Sequence, residues 1–308
     1  MTSAVGSRQE NWSCRRGDWV TVRSLAEILA TLDGDAKFEA LPFMPEMVRY
    51  CGQTFRVSRR VQRTCVEGTA APRQMTGTVF LDDLRCDGAL HQGCQRGCLL
   101  FWKTAWLKPA VAPAANDAVA ADPANASRLP TTQGHRFYCQ STELAGATSE
   151  LPDGNLRYYL QDLRSGEVGW RRMAHVVWLM GLGFLWRRLF KREYYRRPVG
   201  TQEMTDRGAL RLRAGEWVEV KSAAEITATL DCQGRNRGLT FEPEMLYHCG
   251  RRYRVAGPLR TIIGETTGEM IALGGTVILE NVVCGGICLR NCPRANYFYW
   301  REVWLKRV

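Results

Sequence analysis

Apolar residues come in short bursts separated by polar or glycine-containing breaks, and the period of each burst predicts an element. Trp19-Val20-Thr21-Val22 alternates and is β-prone, which predicts a strand. Ser24-Leu25-Ala26-Glu27 then has the capping-box form, in which serine and glutamate each satisfy an orphan amide at a helix start. Ile28 and Leu32 fall one turn apart on the buried face of that helix. Strands are predicted at 54–57 and 78–84, and a tryptophan-rich stretch containing Trp102 and Trp106 closes the series.

The pattern returns 198 positions later. GDWVTVRSLAEILATLD (17–33) becomes GEWVEVKSAAEITATLD (215–231), GTVFLDDLRC (77–86) becomes GTVILENVVC (275–284), and FWKTAWLK (101–108) becomes YWREVWLK (299–306). Agreement is poor over 58–76, which reads as a variable loop in both copies. Strands outnumber helices and all are short. The expected fold is mainly β with short helices (α+β), a tandem duplication of a small, partly open β-barrel module similar in size to SH3-like barrels.

Composition divides the rest of the chain. The expected organisation is a polar tail (1–16), the first module (17–108), a Pro/Ala-rich disordered linker (109–134), a central segment (135–200), a short connector (201–214) and the second module (215–308). The central segment carries an expected helix at 170–197. Its apolar core, Met173 to Trp186, is 14 residues, roughly 21 Å as a helix, short of the ~30 Å that a bilayer requires.

The formal charge of +11 changes the picture less than its location does. Arg171, Arg172, Arg187, Arg188, Lys191, Arg192, Arg196 and Arg197 against Glu193 supply +7 of it. With Trp170, Trp178 and Trp186 these basic residues suit contact with an anionic membrane surface or another polyanion. A helix buried between the modules is the competing expectation, and a nucleic-acid arm the third.

Twelve cysteines carry the candidate chemistry. The N-terminus has no secretory pattern, so a cytoplasmic, reducing setting is expected, with membrane association through the central segment. Cys51, Cys86, Cys94 and Cys98 in the first module, and Cys249, Cys284, Cys288 and Cys292 in the second, are the expected metal ligands, since four thiolates complete a tetrahedral zinc site. Two zinc ions are expected, with an iron–sulfur cluster, disulfides or inert buried thiols as alternatives. A gapless register pairs Cys94 with Cys292 and leaves Cys98 opposite Asn296. A four-residue shift instead pairs Cys94 with Cys288 and Cys98 with Cys292. His91 reads as a surface histidine, Glu46 and Glu244 as turn or cap residues, and the tryptophans as core. Cys14, Cys65, Cys139 and Cys232 fall outside the repeat pattern.

No phosphate loop, nucleophile elbow or zinc-protease helix appears. The expectation is a non-catalytic, metal-stapled interaction or assembly factor with a protein partner the residues do not identify. A redox protein or metalloenzyme is the alternative, and nucleic-acid binding through the basic segment the second alternative.

Overall fold

The computed structural model describes residues 14–69, 72–112, 129–151, 157–164, 197–202, 210–286 and 291–308, with scattered positions between 166 and 189. The chain is mainly β with few, short helices. In the first half β1 (Trp19–Val22), β2 (Thr54–Arg60), β3 (Thr78–Leu81), β4 (Trp102–Lys103) and β5 (Leu107–Ala110) form an antiparallel sheet in the order β4-β3-β2-β1-β5. In the second half β6 (Trp217–Val220), β7 (Arg252–Pro258), β8 (Thr276–Leu279), β9 (Trp300–Arg301) and β10 (Leu305–Arg307) are ordered β9-β8-β7-β6-β10.

Register recurs with the order. Trp19 faces Arg56 and Trp217 faces Arg254, while Val79 faces Trp102 and Val277 faces Trp300. The same irregularity bends β2 between Val57 and Arg59 and β7 between Val255 and Gly257. β4 and β5 lie at opposite edges of their sheet, yet only the 3-10 turn Thr104–Trp106 joins them. A flat five-stranded sheet would hold its edges ~19 Å apart, and a 3-10 turn rises only about 2 Å per residue. Each sheet therefore curls until its edges approach, since Glu302–Trp304 joins β9 to β10 in the same way.

The capping boxes form as the sequence predicts. Ser24 N–H donates to Glu27 Oε2 (2.8 Å) and Glu27 N–H to Ser24 Oγ (3.3 Å), and Ser222 with Glu225 repeats the pair. The helices, Leu25–Leu29 and Ala223–Thr227, stop short of Leu32 and Leu230. Ile28 and Ile226 still fill the curl of each sheet with Trp102, Trp106, Trp300 and Trp304, all fully buried. Phe43 meets Trp106 edge-on at 5.3 Å, and Phe241 meets Trp304 at 5.1 Å. The indoles of Trp106 and Trp304 donate to the hydroxyls of Thr31 (3.1 Å) and Thr229 (3.0 Å).

Two expectations change. Pro109 and Ala110, assigned to the linker, belong to β5 and pair with Val20 and Trp19, because the strand must cover the open edge of β1. The stretch 58–76 is not a plain loop: Arg63–Thr64 pairs with Arg73–Gln74, and Ser149–Glu150 of the central segment adds a third strand. Thr261–Ile263 and Met270–Ala272 form the corresponding hairpin in the second half.

Of the basic central stretch, described positions between Trp170 and Leu189 are helical, while Arg197 is exposed and outside a helix. Trp170, Trp178 and Leu189 are exposed, Arg171 lies over the Trp170 ring at 5.4 Å, and Met173 is buried. Arg188 is exposed too. Arg172, Trp186, Arg187, Lys191, Arg192 and Arg196 lie outside the described residues. Among the described residues no helix is long and apolar enough to cross a membrane.

Candidate thiol site at the junction of the two halves

After β3 the chain closes a loop on itself. Arg85 bridges to Leu99, and Cys86 N–H donates to Cys98 O (2.8 Å). Gly88, at φ +66°, lies so close to the opposite wall that a Cβ would sit 2.0 Å from Cys94 O, so only glycine fits. The second half builds the same loop. Val283 bridges to Tyr297, Cys284 N–H donates to Asn296 O (2.7 Å), and Gly286 at φ +71° abuts Cys292. The gapless register is the one the backbone adopts: Cys94 corresponds to Cys292, and Cys98 to Asn296.

The loops meet across an internal approximate two-fold axis. Cys65 N–H donates to Cys292 Sγ (3.1 Å), and its counterpart Ile263 N–H donates to Cys94 Sγ (3.3 Å). Arg294 donates to Cys65 O (3.1 Å), and Arg96 to Ile263 O (3.0 Å). Glu67 N–H donates to Glu265 Oε1 (2.8 Å), and Glu265 N–H to Glu67 Oε2 (3.3 Å). Such reciprocal contacts, residue for residue, are the signature of an isologous interface, here within one chain. Glu265 is held by both terminal guanidinium nitrogens, Nη1 and Nη2, of Arg294, by Arg96 (3.2 Å) and by the Ser141 hydroxyl (2.8 Å). Arg294 beside it holds the Glu265 carboxyl below the usual range against the opposing effect of burial.

A cavity of about 30 Å³ opens beside this junction, walled by Cys86, Cys94, Cys98 and Cys139 with His91 and Arg294. That space suits one or two waters or a single ion. Cys139 arrives from the central segment, anchored by Gln140, whose amide accepts from Phe101 N–H (2.9 Å) and donates to Phe101 O (2.8 Å). Burial pushes the Cys86, Cys94 and Cys284 thiols up, the last to about 12, and the amide two residues on pulls each the other way: Gly88, Arg96 and Gly286 respectively. The Cys65 thiol lowers Cys292 by donating to its sulfur, and the Arg294 amide adds to this, while Cys65 itself is raised. An N–H aimed at sulfur favours the thiolate, the form that binds metal. The described cysteines are free thiols.

Cys51 is not a wall of this cavity. It caps the 3-10 helix Pro45–Tyr50 and faces the apolar core, where burial alone pushes it up to about 11. Cys249 occupies the same cap in the second half, raised by burial with no cysteine contributing. Cys288 lies outside the described residues. Among the described residues no three His, Cys, Asp or Glu side chains are drawn into a ready-made ion shell.

His91 is buried rather than at the surface. Its Nε2–H donates to Tyr138 O (2.9 Å), and Nδ1 lies 2.5 Å from Glu46 Oε1. Burial opposes its charge, but the Glu46 contact outweighs it and raises the imidazole above its ordinary value. With both nitrogens engaged, His91 neither holds a metal nor takes a proton from a thiol. Glu46 is thus a buried ion-pair partner, and Glu244 accepts Gly285 N–H (2.7 Å). The sequence signal for Cys139, Cys65, Arg96 and Glu265 was faint: Glu67/Glu265 and Arg96/Arg294 recur at the repeat offset inside the poorly conserved stretches between copies.

Comparison with protein-family models, curated proteins and solved structures finds no match for this chain.

Proposed function

We propose that the protein is a non-catalytic interaction or assembly factor in which two copies of a partly open β-barrel are stapled by soft metal ions, zinc above all. The carrying observation is the cavity walled by Cys86, Cys94, Cys98 and Cys139. Four sulfurs without an available imidazole are soft donors, suited to zinc or to iron with sulfide. A space of about 30 Å³ favours a single ion over a cluster. The Ile263 amide donates to Cys94 Sγ (3.3 Å), the kind of sulfur hydrogen bond that thiolate sites use. A bound ion would supply folding energy where two thin cores join, each sulfur releasing its proton to solvent. Such thiols need a reducing compartment, so the proposed setting is cytoplasmic.

Metal analysis of the full chain, purified anaerobically without chelator, tests this. About two zinc ions per chain and no visible absorbance band are expected. A metal-free chain overturns the reading, and a brown protein transfers it to the iron–sulfur alternative.

Membrane contact is the second reading, favoured by the exposure of Trp170, Trp178 and Leu189 beside Arg171 and Arg188.

A further inference from the structure

The approximate symmetry of the junction is broken at one position. Where the second half presents Ile263 to Cys94, the first half presents Cys65 to Cys292. Two cysteines therefore meet across the halves on one side of the axis only. Cys65 N lies 3.1 Å from Cys292 Sγ. With an N–Cα bond of about 1.46 Å, a directed N–H to sulfur contact of that length keeps the two Cα atoms within about 7 Å, a span that a disulfide bridges. The backbone of Cys65 is held on both sides, its N–H by Cys292 and its carbonyl by Arg294 Nη1 (3.1 Å), so its side chain starts from a fixed position beside Cys292. Both thiols are free, Cys292 buried and Cys65 half-buried.

We propose that Cys65 and Cys292 form a peroxide-responsive switch, a reversible disulfide that locks the first half of the chain to the second. Disulfides that form in a reducing compartment are mostly transient and redox-sensing, which is the setting proposed above. One sulfur takes an oxygen atom from hydrogen peroxide to become a sulfenic acid, and water leaves. The other sulfur displaces the hydroxyl, which departs with the second thiol proton as another water. Two thiols thus lose two electrons, and one peroxide is reduced to two waters. Ile263 offers Cys94 no sulfur, so the equivalent link cannot form on the other side of the axis. The bond joins residues 227 positions apart, and closing so long a loop restricts the unfolded chain and stabilises the folded one. The switch does not depend on the metal reading, although a metal held by Cys292 would have to leave before the bond forms.

The full-length chain, reduced and then freed of reductant, is treated with hydrogen peroxide with and without a chelator, and its linked peptides are mapped by mass spectrometry. The expected product is one dominant link between Cys65 and Cys292, reversed by a thiol reductant. In wild type it is expected to raise the thermal midpoint by several degrees. Neither the link nor the rise is expected in Cys65→Ile, which copies the residue on the other side of the axis. Absence of the link in both arms overturns the switch, as does a spread of Cys65 partners equal to that of the urea-unfolded chain. A link without the rise overturns the lock. Zinc content of the same samples judges the metal reading separately. Should Cys65→Ile unfold, the wild-type midpoint before and after re-reduction supplies the same comparison.

Discussion

Glu46 and His91 form a buried pair whose side chains are 1% and 2% exposed. Because the imidazole is raised in the folded chain, the pair's stabilisation is complete below the ordinary histidine value of 6.5. It is lost as pH rises through the folded value. Unfolding free energy from urea titration is expected to decline over that interval in the wild type and to lose the slope in His91→Gln. Glu46→Ala is expected to cost about 3 kcal/mol near pH 6, the low end for a broken buried pair because the imidazole can shed its proton. A wild type without the slope would show that the pair is neutral throughout.

At the level of the element, the two closed loops depend on the glycines that let their walls touch. Gly88→Ala must displace Cys94 O and also adopt φ +66°, so a loss of several kcal/mol is expected, together with any metal bound at the proposed site. Gly52 has φ +78° but open space around its missing Cβ, so Gly52→Ala should cost only the left-handed backbone penalty, roughly 1–2 kcal/mol. Equal thermal shifts for the two variants would mean that the loop yields. The elements themselves were largely legible: the capping boxes at Ser24 and Ser222, the strand at Trp19–Val22 and the buried tryptophans follow from local pattern. Helix length was not, since Leu32 has helical spacing but the chain turns after Leu29 to let the 33–38 turn form around the Asp33 carboxylate, which accepts from Asp35 and Lys37 amides.

For the whole molecule, the junction network is the feature that makes two repeats into one body. Glu265 ties Arg294, Arg96 and Ser141, hence both halves and the central segment. Glu265→Leu takes from buried Arg294 its carboxylate partner and leaves Arg96 with Glu67 alone, so it is expected to split the single thermal transition into two. One unchanged transition would show that the halves are coupled elsewhere. The basic central segment belongs to this scale too. Trp170→Ser with Trp178→Ser is expected to reduce flotation with anionic vesicles several-fold, and flotation equal to wild type rejects membrane contact through this face.

The chain's own residues determine the repeat, its strands, its caps and the abundance of thiols, because each is written in local spacing or in identity at a fixed offset. Which thiols share a space is decided by docking. Cys51 has the repeat position of a ligand but points into its core, since a 3-10 cap directs it there. Cys139 and Cys65 lie outside the repeat pattern, and the folding of the central segment onto the first half and of the first half onto the second brings them beside the loop cysteines. Their partners are up to 227 residues away along the chain, and no local period encodes a contact at that range.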